Sequence, residues 1–223
     1  MDTDSRRGVA KSARSASTPL TPRGEDKRAR ILEAAGELLA SQGYAGTTLS
    51  DIAAAAGTYA GSLYYHFANR EELATEVLTA GAEAAMAHTR GVIETLPTGV
   101  SARRRLEAAI EAHVEFMLAR SPAAMASARA VGQLPPPVAE PLAAVHRAYG
   151  QLFADLFDDA AAEGSIDPSV DLSAARMLVL GAANWTAEWF DPDGSASAET
   201  VAALLCRLTF DGLGTGRRGR RSR

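Results

Sequence analysis

The sequence predicts an all-α fold of about nine helices, with a small N-terminal helical domain followed by a larger one. Two observations predict it. Alanine, the strongest helix former, recurs along the whole chain, whereas aromatic residues make up only 6% and β-branched runs are few. Apolar residues also recur at three- and four-residue spacing, the mark of one-sided helices, and no stretch shows the alternation of a half-buried strand. With 223 residues, 47% hydrophobic and 22% charged, the chain has an ordinary globular composition and the length to bury a substantial core.

The elements follow in order. Residues 1–24 are rich in Ser, Arg, Thr and Pro, lack apolar periodicity, and read as a disordered basic arm. From Glu25 a stripe of Ile31, Ala34, Ala35, Leu38 and Leu39 makes the first helix, which Gly43 ends. A short second helix starts at Thr48, an N-cap with Asp51 three residues on, turns Ile52 and Ala55 inward and stops at Gly57. The third covers residues 60–66. Asn69 caps a long fourth helix to about Ile93, with Glu71 and Glu72 in its first turn. Leu96-Pro-Thr-Gly99 is a loop, and Ser101 caps a helix to about Arg120 with Leu106, Ile110, His113, Val114 and Met117 on one face. Ser121-Pro122 breaks that helix. A short helix spans residues 124–131, and Pro135-Pro-Pro137 is a stiff connection to a helix over 139–163. Two more helices cover residues 173–190 and 197–211, separated by the turn Asp191-Pro-Asp-Gly194, and residues 212–223 read as a disordered basic tail.

Charge and cysteine usage narrow the function classes. The net charge of -4 hides basic ends around an acidic body. Such a distribution suits either contact with a polyanion at particular places or simple solubility. No apolar run is long enough to span a membrane, and the charged N-terminus has no secretory core. The lone Cys206 cannot form an internal disulfide, sits in an apolar run as buried filler, and fits a cytoplasmic protein. Neither a nucleophile elbow, nor a phosphate loop, nor metal-ligand spacing is present, so an enzyme is not expected, nor any cofactor or metal site.

Residues 48–66 carry the functional signal. Two short helices joined across Gly57 make a helix-turn-helix, whose second helix enters the major groove of double-stranded DNA. That helix reads Tyr59-Ala-Gly-Ser-Leu-Tyr-Tyr-His66, with Leu63 and Phe67 turned inward. Tyrosine and serine hydroxyls contact phosphates or bases, and Gly61 permits close approach to the backbone. Because consecutive helical residues face different directions, one of Tyr64 and Tyr65 is also open to a place in the core. The run Arg30-Ile-Leu-Glu-Ala-Ala, Gly43-Tyr-Ala-Gly-Thr-Thr-Leu-Ser-Asp-Ile-Ala, Ala56-Gly57, Gly61-Ser-Leu-Tyr-Tyr-His-Phe67 and Arg70-Glu-Glu-Leu73 resembles the DNA-binding domain of the TetR family of regulators. The resemblance implies that Thr48 bonds a phosphate, that Tyr59, Gly61, Ser62, Tyr64 and Tyr65 lie on the DNA side, and that His66 and Arg70 clamp the backbone. Where the family has a small hydroxyl residue and then Lys or Pro, this chain has Tyr59-Ala60, which weakens the cap and alters operator preference.

The domains implied are a helix-turn-helix domain over 25–71 and a ligand-binding and dimerisation domain over 72–211. Met177, Gly181 and Trp189 on the eighth helix, with Leu204, Leu205 and Leu208 on the ninth, are expected at a four-helix homodimer interface. One tryptophan of Trp185 and Trp189 is expected at the interface or pocket and the other in the core. Phe116, Met117, Met125, Tyr149, Phe153 and Trp185 are expected to line an apolar effector pocket. The run Asn184-Trp-Thr-Ala-Glu-Trp-Phe-Asp-Pro-Asp-Gly194 resembles a subgroup of the family that responds to acyl-coenzyme A thioesters. Arg103, Arg104 and Arg105 then stand either near coenzyme phosphates or on a solvated face. The resemblance implies a repressor released from a palindromic operator by a small apolar effector. A drug-like or lipid effector without coenzyme, and activation in place of repression, are the alternatives.

Overall fold

The computed structural model describes residues 22–130, 132 and 134–212. Within them the chain forms α1 (Pro22–Gly46), α2 (Leu49–Ala55), α3 (Ala60–His66), α4 (Arg70–Glu94), α5 (Ala102–Leu118), α6 (Pro122–Arg129), α7 (Pro136–Ala162), α8 (Leu172–Trp189) and α9 (Ala198–Phe210). The described residues contain no strand. The first 21 residues of the expected basic arm, and all of the expected tail beyond Gly212, lie outside the described residues.

Local chemistry accounts for most boundaries. Gly43 leaves helical geometry with φ of 70°, so the regular part of α1 stops where a left-handed glycine is needed. Thr48 and Asp51 form a reciprocal capping box at α2. At α4, Asn69 Oδ1 accepts the Glu72 N–H at 2.7 Å while Glu72 Oε2 accepts the Ala68 N–H at 2.6 Å. Ser101, Ser121, Asp171 and Ser197 cap α5, α6, α8 and α9 by accepting an N–H three residues on.

Three boundaries differ from expectation for one reason. α1 begins at Pro22, α6 at Pro122 and α7 at Pro136, each earlier than the apolar periodicity indicated. The first helical positions have no intrahelical use for an N–H, so proline starts a helix there instead of stopping it. Ser121-Pro122 is therefore a break and a start together. The inward face of α2 is Ile52, Ala53 and Ala56, and Ala55 is exposed.

Two cores share one long helix. The first joins Ile31, Ala35 and Leu39 of α1, Ile52 of α2 and Leu63 of α3 to Leu73, Val77 and Leu78 of α4, and continues to Ala126 of α6 and Leu142 of α7. The second joins Ala85 of α4 to Leu106 and Ile110 of α5, Phe153 and Phe157 of α7, Val179 of α8 and Cys206 of α9. The 25 residues of α4, about 37 Å of helix, thus run from one core into the other. The N-terminus of α6 sits against glycines of α1 and α4. A Cβ on Gly81 would stand 2.2 Å from the Ala123 carbonyl oxygen, and one on Gly36 would stand 3.1 Å from Pro122 Cβ.

Candidate nucleic-acid interface and regulatory core

α3 is held by its inner face and free on its outer one. Leu63 and Phe67 are buried, with Ala60 packed beside them. At about 100° per residue, the direction opposite these three passes through Gly61, Ser62 and Tyr65, with Tyr64 and His66 on the flanks. Tyr64 is 61% exposed and Tyr65 76%, so neither tyrosine belongs to the core. A Cβ added to Gly61 would meet nothing within 4 Å. Tyr59 is the N-cap in an extended conformation, makes no side-chain cap bond and is 87% exposed. The described helix-turn-helix therefore presents a projecting surface of phenols and one hydroxyl around a bare glycine.

Thr48, Arg70 and His66 frame this surface. The Thr48 hydroxyl is engaged with Asp51, donating to Oδ2 at 2.6 Å and accepting the Asp51 N–H at 3.2 Å. Arg70 is turned inward: one guanidinium nitrogen donates to the Thr47 carbonyl at 2.9 Å, and the group lies 4.1 Å over the Tyr44 ring. Arg70 thus ties the start of α4 to the corner between α1 and α2. His66 has a buried Nδ1 without a hydrogen-bond partner among the described residues. Burial, aided by Lys27 and Arg28, holds its imidazole below the ordinary histidine range.

Of the six residues expected around an effector, five lie in two clusters that share Phe116, and Trp185 stands outside them. Met117 and Met125 pack with Ala187, and Phe116 lies beside them. Tyr149 and Phe153 are buried in the second core. Trp185 is 65% exposed on the opposite side of α8 from Val179 and Ala183, so among the described residues it lines no internal pocket. Trp189 is 55% exposed on the same side, since positions four apart share a helix face. The expectation of one core tryptophan fails for that reason. Met177, Leu178 and Gly181 continue this exposed face, and Leu204 and Leu208 extend it on α9. Leu205 departs from the group, packing against Val201 and the second core.

A polar chain runs from the buried Thr89, Tyr149 and His113 of the larger core to the exposed Asn184 on α8. The Thr89 hydroxyl meets the Tyr149 hydroxyl at 2.6 Å, the latter meets His113 Nδ1 at 2.9 Å, and His113 Nε2 meets Asn184 Oδ1 at 3.0 Å. With Asn184 accepting, Nε2 carries the proton, Nδ1 accepts from Tyr149, and Thr89 donates to the phenol oxygen. Burial pushes the His113 pKa down to about 4 and directs the Tyr149 phenol upward from its ordinary range. The sequence placed His113 on an apolar stripe but offered no sign of Thr89 as its second neighbour. Arg103, Arg104 and Arg105 are paired with Glu107 and Asp211, with Glu111, and with Asp159. Among the described residues no three His, Cys, Asp or Glu side chains gather as a metal site, and no helix is long and apolar enough to cross a membrane.

Residues 31–77 match the model of bacterial regulatory proteins of the tetR family, and residues 99–213 match the tetracyclin repressor-like C-terminal domain. The chain belongs to the TetR family of transcriptional regulators. It is 28% identical to the HTH-type transcriptional repressor KstR2 of Rhodococcus jostii (strain RHA1) over 191 residues, 84% of this chain and 91% of that protein. Among solved structures it is similar to AibR in complex with isovaleryl coenzyme A and operator DNA, with a TM-score of 0.74, 25% identity, and coverage of 82% of this chain and 98% of that one. It is also similar to PfmR of Thermus thermophilus, with a TM-score of 0.70, 27% identity and coverage of 83% and 99%. The first of the two family matches spans α2 and α3, and the second spans α5 to α9.

Proposed function

We propose that this TetR regulator is a homodimeric repressor that binds a palindromic operator through α3 and is released by a small apolar effector, an acyl-coenzyme A thioester being the class favoured. The observation that carries the reading is the outer surface of α3, where Gly61, Ser62 and Tyr65 project with Tyr59 and Tyr64 beside them while Leu63 and Phe67 hold the helix from behind. In this reading the Thr48 hydroxyl turns its proton from Asp51 to a phosphate, His66 meets a second phosphate, and Arg70 supports them by fixing the Thr47 carbonyl. The family relationship supports repression, since KstR2 is a repressor, and the AibR complex supports the thioester class. The second dimer half attaches through Met177, Gly181, Trp185, Trp189, Leu204 and Leu208.

The effector enters where the larger core is most easily reshaped. Met117 and Met125 are unbranched and flexible, and they separate α5 and α6 from Ala187 of α8. Displacing them brings an acyl chain against Phe116, Phe153 and Tyr149, with His113 and Asn184 as polar partners for its carbonyl. The ligand lowers DNA affinity by its preference for a conformer in which α4 is tilted, because α4 belongs to both cores. The test is binding of the purified chain to fragments of its own upstream DNA at stated salt, with and without a panel of acyl-coenzyme A thioesters. Specific binding relieved by a thioester is expected. Specific binding indifferent to every thioester removes the ligand class, and binding strengthened by one replaces repression with activation. Absence of any sequence preference removes the operator reading.

A further inference from the structure

We infer that this chain reads its operator through the methyl groups of thymine, with Tyr59 as the specificity-determining side chain, an inference that rests on the operator-binding reading above. The first support is a composition gap at the reading surface. From Thr47 to Ala68 there is no Arg, Lys, Asn or Gln, the side chains that grip guanine or adenine edges with two bonds. Three flanking candidates are engaged elsewhere. Asn69 Oδ1 caps α4, Arg70 holds the Thr47 carbonyl and stacks on Tyr44, and Arg28 pairs with Glu76 and lies over Phe67.

What remains on the outer surface of α3 is hydroxyl and aromatic ring. A hydroxyl such as that of Ser62 donates or accepts with any base and discriminates poorly. A ring discriminates by apolar contact, and the major groove offers one apolar group, the C5 methyl of thymine. Tyr59 occupies the N-terminal tip of the recognition helix, the end whose residues reach base edges. Its 87% exposure, extended backbone and lack of a side-chain cap bond leave the phenol free to lie along the groove floor. Ala60 and Gly61, which follow it, add no bulk to hold the ring away from the bases, and a Cβ on Gly61 meets open space.

The experiment begins with the full chain selecting a site from random double-stranded DNA. Each thymine of the half-site is then replaced by deoxyuracil, which keeps every hydrogen-bonding group and removes the methyl alone. Affinity is expected to fall about three- to fivefold for each contacted thymine, the worth of one buried methyl. Tyr59→Phe keeps this preference, whereas Tyr59→Ala binds thymine and deoxyuracil duplexes alike. Because Tyr59 touches no cap and little else, both variants are expected to fold as the parent does. Equal affinity of the parent for both duplexes at every position overturns the methyl readout and leaves operator binding standing. Discrimination that survives in Tyr59→Ala overturns the assignment to Tyr59. Failure to select any site overturns the operator reading itself, and this inference with it.

Discussion

His113 lies wholly inside the larger core, bonded to Tyr149 on one side and Asn184 on the other. Burial favours its neutral form and brings its pKa down to about 4, against 6.5 in the unfolded chain. As pH falls below about 6.5 the unfolded chain takes up a proton that the folded one refuses, so this stabilising contribution is full above that value and lost progressively down to about pH 4. The loss amounts to about 3 kcal/mol. Urea unfolding between these limits should show a steeper pH dependence for the parent than for His113→Gln, and the His113 ring resonances should not titrate above about pH 5. A resonance that titrates near 6.5 would place the ring in water. Arg70 gives a second residue-scale prediction. If it acts by holding the Thr47 carbonyl and the Tyr44 ring, Arg70→Lys restores neither the bond geometry nor the stacked plane. Both Arg70→Ala and Arg70→Lys should then lose about 1–2 kcal/mol of stability together with operator affinity. Recovery of affinity by lysine alone would show a simple phosphate contact.

At the scale of elements, two glycines make opposite predictions. Gly61 sits inside α3 with open space where a Cβ would go. Gly61→Ala should therefore raise stability by about 1 kcal/mol, since alanine is the better helix former, while weakening operator binding by holding α3 off the DNA. Thermal unfolding and DNA titration of the same sample separate the two effects, and an alanine variant with unchanged affinity would remove Gly61 from the contact surface. Gly81 is the reverse case. Its added Cβ would meet the Ala123 carbonyl oxygen at 2.2 Å, so Gly81→Ala must push α6 away from α4 and should cost about 2 kcal/mol or more. The contrast shows which features were legible beforehand. Caps such as Thr48, Asn69, Ser101 and Ser197, and the inward pair Leu63 and Phe67, depend on neighbours within one turn and are written locally. The notch at Gly81, the inward turn of Arg70, and the pairing of Arg103 with Asp211 across 108 residues depend on elements far apart in sequence. The surroundings of Trp185 and Leu205 are hidden from the sequence for a related reason. α8 and α9 are apolar on two sides, one for the monomer core and one exposed, and periodicity alone does not tell which side is which.

At the scale of the molecule, the proposed pairing of two recognition helices rests on the exposed face of α8 and α9. Met177, Leu178, Trp185, Trp189, Leu204 and Leu208 form an apolar surface that is exposed among the described residues, the kind of patch that suits a protein partner. An isologous contact between two copies would bury both tryptophans and set two α3 helices against two half-sites. Trp189→Glu places a charge in the middle of that face, where an unpaired buried charge costs far more than the ring contributes. Among the described residues the Trp189 side chain has no hydrogen-bond partner, so the variant should keep its helical circular dichroism and sediment as a monomer. Affinity for the full operator should fall by about 10²- to 10⁴-fold, because the second half-site loses the effective concentration that the dimer supplies. Affinity for an isolated half-site should change little, since α3 lies at the other end of α4 and packs on none of these residues. A Trp189→Glu variant that still sediments as a dimer would move the interface to another face. One that loses half-site and full-site binding equally would show that the substitution acts through the fold of the helix-turn-helix and not through the pairing of two copies.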